Sequence, residues 1–324
     1  MALQLTENLD NLYTTTWQNM KSTVFDQIFD ATPFWFWMKD KGKMRTEEGG
    51  RFITEPLQYD KNDNVVWLTK GGTVSLNDYE FLTIAQYNWR YLVAPIVRFG
   101  IDDQQNRGKN KIIDFMNSKL ENTQNSLVSE MESKLFAASG AASDAIDGLQ
   151  FLVADDPTTS AAPGEIAQDT YSWWRNQQTT MTSLSFATYG LSKMRTLRNN
   201  CQNNLAMDAP DIILSGQTPY EYYEDTVLEH LRVGNTKLAD AGFDNQTFKG
   251  IPMIWSPSCA NTRMYFLNTN YLNFVYDPMM NFDMTEWKPI PDQPNDRAAQ
   301  IVTACSMTAS RLRCQGVLHT IDTA

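Results

Sequence analysis

The sequence predicts a mixed α+β protein, and three observations indicate that class. One long segment repeats apolar residues at helical spacing, several short runs are rich in β-branched and aromatic residues, and no stretch of sequence is repeated along the chain. With 324 residues, of which 42% are hydrophobic and 20% charged, the chain is long enough for two domains or one elaborate domain.

The first forty residues predict an arm that ends in an anchor. Residues 9–29 form a polar segment with helix-like spacing, and the aromatic cluster PFWFWM follows it at residues 33–38. Aromatic side chains bury large apolar areas, so we expect the arm to be held in place at that end.

Two glycine pairs, at 49–50 and 71–72, bracket the next segment. Between them, residues 51–59 and 65–70 are two β-prone runs that flank the turn-rich sequence DKND. This pattern predicts a β-hairpin with flexible roots, and at about 3.3 Å per residue its tip would project roughly 30 Å. An isolated two-stranded hairpin is only marginally stable in water, so we expect it to contact its own body or a neighbouring subunit.

A long helix is predicted over residues 109–138. Residues 78–101, just before it, mix helical and strand signals, and Pro95 argues against one unbroken helix or central strand there. The helix would be about 45 Å long, and it has no second heptad segment to pair with, so we expect one helix lying across a sheet. Its apolar stripe consists of Ile113, Met116, Leu120, Leu127, Met131 and Leu135.

The C-terminal half alternates loops, helices and short strands. Residues 154–165 have the composition of a surface loop, and the aromatic cluster DTYSWWRNQ follows at 169–177. A capping box of Thr218, Pro219 and Glu221 predicts a helix start. Another helix is predicted over 183–199, with a buried face of Leu184, Ala187, Leu191, Met194 and Leu197. Short strands are predicted at 210–216, 248–257, 263–269 and 271–276, with a closing pair in 298–321.

The sequence contains no motif typical of an enzyme. Phosphate-binding loops, dinucleotide-binding glycines, nucleophile elbows and the zinc motif HExxH are absent. The acid pairs at 102–103, 155–156 and 224–225 could supply the two carboxylates of a glycosidase, but such pairs are more typical of helix starts and solvated helix faces. We therefore expect no catalytic residue, no cofactor and no metal site.

The net charge and the pattern of cysteines and histidines disfavour further classes of function. The net charge of −11 disfavours sequence-independent binding to nucleic acid, which needs clustered Lys and Arg. The four cysteines form no CxxC pair, which favours reduced thiols, and the two histidines, His230 and His319, lack metal-ligand spacing. We also expect neither a signal peptide nor a membrane span.

Two clusters of candidate functional residues remain. Trp173, Trp174 and Arg175 could form a platform for a sugar ring, or they could pin the chain back onto the body after the loop. Arg311 and Arg313, in the sequence SRLRCQG, could bind an anion or form a solvent-facing row on a strand, paired with acids of a neighbour.

The order of elements resembles the major capsid proteins of tailed bacteriophages, which have the Hong Kong 97-type fold. The glycine-bracketed hairpin looks like the extended E-loop of that family, and the helix over 109–138 looks like its spine helix. GLQFLVADD followed by DTYSWWRNQ is similar to the segment after that helix, and RLRCQGVLHTI resembles the closing strand. The resemblance covers essentially the whole chain, and its most specific signatures are WRN and QG.

The resemblance implies a division of the chain. An N-terminal arm over 1–45 is followed by the E-loop at 46–76, the peripheral or P domain at 77–180, the axial or A domain at 181–276, and a return to the P domain at 277–324. We expect the residues that contact other subunits, or anchor the segments that do, to include Phe52, Tyr59, Lys61, Trp67, Trp173, Trp174, Arg175, Arg311 and Arg313.

The function that the resemblance implies is self-assembly of hexamers and pentamers into an icosahedral shell around double-stranded DNA. The expected partners are other copies of the chain, a scaffolding protein, a portal and a decoration protein, with DNA nearby but not bound sequence-specifically. The short arm implies a separate scaffold or prior cleavage, and the expected location is the virion, after assembly in the host cytoplasm. An encapsulin-type cellular shell is the nearest alternative, and a carbohydrate-active protein that uses the tryptophans is a more distant one.

Overall fold

The computed structural model describes residues 14–17, 32–60, 62, 64–74, 78, 80–101, 109–138, 144–159, 161–202, 209–227, 246–293 and 296–321, with side chains of the long helix described from Ser118 onward. The helices are α1 (Pro33–Asp40), α2 (Lys109–Leu135), α3 (Leu149–Leu152), α4 (Phe186–Cys201) and α5 (Gln217–Val227). The strands are β1 (Met44–Thr46), β2 (Phe52–Gln58), β3 (Leu82–Asn88), β4 (Arg90–Arg98), β5 (Gln177–Thr180), β6 (Ile212–Ser215), β7 (Gln246–Phe248), β8 (Ile251–Trp255), β9 (Met264–Leu267), β10 (Leu272–Tyr276), β11 (Asp283–Met284), β12 (Lys288–Pro289), β13 (Arg297–Ala309) and β14 (Gly316–His319).

The first sheet is built around β13, the longest strand among the described residues. One edge of β13 pairs with β4, while β10, β11 and β12 pair with its other edge and β1 extends the sheet beyond β10. Pro95 lies in β4 opposite Gln300, whose backbone bonds to Thr285 on the other side. The proline therefore sits where β4 needs no N–H donor toward β13, which allows an unbroken edge strand.

The second sheet has the order β5-β14-β9-β6-β8-β7, and its central strands are largely buried on both faces. In β6, Ile212 and Leu214 belong to the larger hydrophobic core, whereas Ile213 belongs to a second core beneath α4 and α5. Alternate residues of a strand point to opposite faces, so this sheet separates the two cores. The central strands β6, β8 and β9 are accordingly apolar, whereas the edge strand β5 has the polar sequence QQTT.

The long helix α2 confirms the predicted spine. It has 27 residues, which gives a length of about 40 Å, and the predicted stripe residues Leu120, Leu127, Met131 and Leu135 are buried in the larger core. Lys119 extends from the helix to donate a hydrogen bond to the Val97 carbonyl of β4 at 3.1 Å. The predicted stripe members Ile113 and Met116 lie outside the described side chains.

The aromatic cluster at 33–38 forms α1 and is largely buried. Phe34, Trp35, Trp37 and Met38 lie in the larger core, and Trp35 contacts Phe274 of β10 at 4.9 Å between ring centroids. Trp17 of the preceding arm is also buried, and its indole donates a hydrogen bond to the Phe282 carbonyl at 2.9 Å. Most of the predicted helix at 9–29 lies outside the described residues.

The predicted partner of the first hairpin strand was wrong. β2 pairs antiparallel with β3, from Phe52 opposite Asn88 to Gln58 opposite Leu82, and residues 65–69 form neither helix nor strand. Both 65–70 and 82–88 are β-prone, so local propensity does not distinguish them. The hairpin is consequently longer than predicted, with residues 59–81 beyond its paired strands.

Smaller differences concern boundaries and faces. Helix α5 begins at Gln217, so Thr218 is its second residue rather than its N-cap. The buried stripe of α4 contains Phe186, Gly190, Met194, Leu197 and Cys201, and Ala187 is exposed. The closing strands β13 and β14 lie in different sheets. Strands β5 and β14 fall in the predicted P domain, yet they share a sheet with strands of the predicted A domain. The predicted domain limits therefore cut across this sheet, and they stay a prediction.

Candidate assembly interface

The root of the hairpin is fixed to the body by buried hydrogen bonds. Glu55 of β2 is 4% exposed, accepts a hydrogen bond from the Thr308 hydroxyl at 2.9 Å and forms an ion pair with Arg45 at 3.0 Å. Tyr87 of β3 donates its hydroxyl to the Ala309 carbonyl at 2.8 Å and accepts from the Ala309 amide at 3.2 Å. Both hairpin strands are therefore tied to the last residues of β13.

A tight turn packs against the same root. Residues Pro163–Glu165 form a 3₁₀ turn in which Gly164 has φ +66°, and an added Cβ would lie 2.8 Å from the Ala85 Cβ. Only glycine combines this backbone conformation with so close an approach. The loop after the spine helix thus supports β3 directly.

Charged groups are also buried near this root. Asp147 forms an ion pair with Arg90 of β4 at 3.8 Å, and burial raises the pKa of its carboxyl to about 6 even though the guanidinium lowers it. Burial likewise raises the pKa of the Tyr87 hydroxyl, so this side chain stays a neutral hydrogen-bonding group.

Beyond the paired strands, the hairpin presents apolar side chains to solvent. Trp67 is fully exposed, and Val65 is 81% exposed. Several large apolar side chains exposed together on one segment usually indicate a surface that binds another molecule. We call this set the hairpin tip, and its exposed members are Val65, Val66, Trp67, Leu68, Val74 and Phe81.

An open cleft of about 490 Å³ lies beside the hairpin root. Tyr59, just beyond β2, stacks on Trp173 at 5.4 Å between centroids and donates its hydroxyl to the Glu80 carbonyl. Across the cleft, the Arg311 guanidinium lies 5.5 Å from the ring centroid of Tyr271. The cleft is lined by Tyr59, Trp173, Trp174, Tyr271, Arg311 and Arg313, among others.

The DTYSWWRNQ cluster folds back onto the loop that precedes it. Trp174 is 1% exposed and donates its indole N–H to the Pro163 carbonyl at 2.9 Å. Arg175 donates through Nε to the Gln168 carbonyl at 2.6 Å, and Asn176 donates to the Ala154 carbonyl at 2.8 Å. These bonds hold the loop after the spine helix against the body.

Trp173 and Trp174 do not present the open platform that stacking a sugar requires. Trp174 is buried, and Tyr59 stacks on Trp173 while Tyr171 and Trp174 contact it at tilted angles. This arrangement favours the pinning interpretation over the sugar-binding one.

Five of the nine candidate residues line this one cleft: Tyr59, Trp173, Trp174, Arg311 and Arg313. Arg175 lies directly after Trp174, Trp67 lies at the hairpin tip, and Phe52 begins β2 with the Arg51 guanidinium 5.0 Å from its ring. Lys61 lies outside the described residues.

The predicted strand row of Arg311 and Arg313 was wrong. Arg311 precedes a 3₁₀ turn over Leu312–Cys314, and Arg313 lies within that turn. Leu312 and Cys314 are buried, which turns Arg313 outward into solvent. The two arginines therefore lie in the link between the two sheets.

The residues that fix the hairpin root were not singled out from the sequence. In FITEPLQ, the burial of Ile53, Glu55 and Leu57 alternates with exposure of Thr54 and Pro56. An acid that shares the apolar face of a strand is the signal that could have found Glu55, because a buried carboxylate needs partners. Tyr87 and Thr308 carry no comparable local signal.

The described part of the chain was searched for metal sites, reactive cysteines and membrane-spanning helices. No group of three or more His, Cys, Asp and Glu side chains there could hold a metal ion. The four cysteines are buried and form no disulfide bond with one another, and burial raises the pKa of Cys259 and Cys305 to about 12. Among the described helices, none combines the length and apolar character needed to cross a membrane.

Comparisons with known proteins give matches at the level of structure. No protein-family model matches the sequence, and no curated protein sequence matches it either. The capsid asymmetric unit of cyanophage A-1(L) is similar at a TM-score of 0.62 and 18% identity, over 87% of this chain and 91% of that one. The chain has the Hong Kong 97-type fold.

Two further structures extend this similarity. The capsid of a native GTA particle is similar at a TM-score of 0.55 and 9% identity, over 87% of this chain and 89% of that chain. The holo-SrpI encapsulin complex from Synechococcus elongatus is similar at a TM-score of 0.55 and 12% identity, over 90% of this chain and 89% of that chain. The predicted fold is therefore confirmed across nearly the whole chain, while the sequences have diverged widely.

Proposed function

We propose that this chain is the major capsid protein of a tailed bacteriophage. In this proposal its copies assemble as hexamers and pentamers into an icosahedral shell that encloses and protects double-stranded DNA. The observation that carries the proposal is a fold shared with phage capsid structures, combined with an apolar hairpin tip that the described body leaves uncovered. Its role is structural rather than catalytic.

The geometry of the hairpin supports contact with a neighbouring copy. The root is held by Glu55 and Tyr87, so the direction in which the hairpin leaves the body is fixed. The tip therefore presents Val65 and Trp67 outward from a rigid base rather than collapsing onto it. Burying such side chains against another subunit gains about 25 cal/mol for each Å² of apolar area removed from water.

Many weak contacts are sufficient for a shell. Closure of a symmetric assembly multiplies each interface, so no single contact needs to be strong. In this proposal Trp67 and Tyr59 contact the neighbour, together with Phe52, Lys61, Arg311 and Arg313. Trp173, Trp174 and Arg175 anchor the segment that supports the hairpin.

The proposal includes partners and a location. Its partners in this proposal are a scaffolding protein that guides assembly, a portal, and a decoration protein. We place the assembled chain in the virion, after synthesis and assembly in the host cytoplasm. Packaged DNA lies nearby without sequence-specific contact, as the acidic composition suggests.

An encapsulin-type cellular shell is the second candidate. The similarity to the SrpI encapsulin, at a TM-score of 0.55 over 90% of this chain, favours it specifically. Both candidates assemble shells, so the cargo distinguishes them: particles purified from the native source contain genomic DNA in one case and a cargo protein in the other.

The test is assembly of the purified chain and of a hairpin-tip variant. We expect the wild-type chain at high concentration to form closed shells, tubes or capsomers in negative-stain electron microscopy. In V65D/W67D two carboxylates must be buried at the contact, so we expect folded subunits that no longer assemble. The control M279D places one carboxylate at another site that is 81% exposed, and it should assemble normally. Normal shells from V65D/W67D would contradict the role of the hairpin tip.

A further inference from the structure

Asp147 is a buried acid at the end of the connection from the spine helix α2 to the short helix α3. We call residues 144–148, the described end of this connection, the α2–α3 link. Asp147 is 6% exposed, and its carboxyl faces the Arg90 guanidinium at the start of β4. Strand β4 follows the hairpin strand β3 after one residue, so this pair connects the α2–α3 link to the root of the hairpin.

The geometry of the pair destabilises the charged form of Asp147. Its Oδ1 atom lies 3.8 Å from the Arg90 guanidinium and accepts no hydrogen bond from the residues that the structure describes. Hydrogen bonds between a guanidinium and a carboxylate are typically about 2.7–2.9 Å long. The longer ion pair therefore offsets only part of the cost of removing the carboxylate from water, a cost that the protonated carboxyl largely avoids.

The backbone around Asp147 has little freedom to shorten the pair. Gly148 lies so close to the end of the spine helix that an added Cβ would be 2.1 Å from the Ala137 carbonyl oxygen. Leu149, the next residue, is fully buried in the larger core. Close packing on both sides thus holds the carboxyl at its distance from Arg90.

Solvent reaches one side of the pair, because Arg90 lines an open cleft of about 370 Å³. Charged and titratable groups come from each element near Asp147, namely Arg90 of β4, Tyr87 of β3, Glu130 and Lys134 of α2, and Asp144 of the same link, with Glu55 of β2 beyond Tyr87. Glu130 and Lys134 offset each other in an ion pair at 3.4 Å. Arg90 is therefore the group that most directly offsets a charge on Asp147.

We propose that Asp147 is a proton-sensitive latch, which in its protonated form holds the α2–α3 link against β4 and the hairpin root and on ionisation loosens that contact. Burial raises the pKa of this carboxyl from 3.8 to about 6, although Arg90 lowers it. Because the pKa is higher in the folded chain than in the unfolded one, the contribution to stability is complete below about pH 4 and is lost as the pH rises through about 6. The latch goes beyond the proposed shell function and does not depend on it.

D147N tests the latch, because the amide keeps the size of the side chain and cannot ionise. Urea unfolding compares unassembled wild-type subunits with D147N at about pH 5 and about pH 7, where we expect the folding equilibrium constant of the wild type to fall about tenfold relative to that of D147N. The control D144N removes an exposed acid three residues earlier in the same link, and it should keep the pH dependence of the wild type.

Hydrogen exchange shows whether the effect is local. In the wild type, we expect the protection factors of amides in the α2–α3 link and in β3 to rise about tenfold from about pH 7 to about pH 5, relative to those of β6 in the second sheet. In D147N they should stay constant relative to β6. This comparison within the wild-type chain decides the question even if D147N does not fold.

Three results would overturn the latch. The first is an equal pH dependence of unfolding in the wild type and D147N, and the second is loss of that dependence in D144N. The third is wild-type protection of the α2–α3 link that is no greater at the lower pH than at the higher one, relative to β6. All measurements use unassembled subunits, so failure of the latch is distinguishable from failure of the shell function.

Discussion

Trp173 and Trp174 are neighbours in the chain, yet they occupy different environments. Trp174 lies in the larger core with its indole N–H bonded to the Pro163 carbonyl, so both its apolar surface and its polar atom are satisfied. Trp173 is half-buried at the edge of the cleft, where it stacks on Tyr59. At the residue scale, the first is an anchor of the fold and the second belongs to the surface at the hairpin root.

We expect W174A to lower the free energy of unfolding by about 3–5 kcal/mol, because it removes a large buried side chain and leaves a cavity. W174F keeps most of the packing and should lose about 1 kcal/mol for the hydrogen bond, with a further loss for the smaller ring. W173A, the adjacent control, should cost far less. Urea unfolding of the unassembled subunit measures all three, and equal losses for W173A and W174A would refute this division of roles.

At the element scale, the sequence predicts a helix or strand correctly where the pattern within that segment is sufficient. Sequence-based prediction fails where contacts with residues far away along the chain determine which strands pair. The spine helix follows from apolar spacing within α2 itself, and its burial matches the predicted stripe. The choice of β3 over residues 65–70 depends on contacts such as Tyr87 with Ala309, 222 residues away along the chain. The cleft is equally nonlocal, because Tyr59, Trp173 and Arg311 come from three separate segments.

Contact between the hairpin and the loop after the spine helix can be tested at Gly164. G164A forces a side chain into a left-handed conformation at φ +66° and against Ala85 and Tyr87 of β3. The control G250A has the same kind of backbone conformation, at φ +81°, with nothing within 4 Å of the added Cβ. We expect about 1 kcal/mol of destabilisation for G250A from the backbone alone, and a further 1–3 kcal/mol, roughly, for G164A from overpacking. Equal losses in urea unfolding would show that the loop does not constrain the hairpin.

At the scale of the whole molecule, the balance of charge limits what the chain can bind. A net charge of −11 gives copies of the chain and DNA the same sign, so binding by release of counterions is unfavourable unless cations are concentrated locally. Among the described elements, α4 carries three cations, Lys193, Arg195 and Arg198, and no acid. A shell wall with this balance of charge would enclose DNA without holding it.

We therefore expect neither the unassembled subunit nor the assembled particle to retard a double-stranded DNA fragment at about 0.15 M salt, where nonspecific binders typically have dissociation constants of about 10⁻⁴–10⁻⁶ M. Gel retardation and fluorescence anisotropy measure this, with K193E/R195E as the comparison. If the unassembled subunit binds DNA while K193E/R195E does not, the cations of α4 serve nucleic acid when they are free. Binding that persists in the assembled particle would contradict the prediction of an acidic wall. Absence of binding in both forms is the result expected of an acidic wall, because repulsion between the wall and its contents lets DNA be packaged and released without breaking contacts.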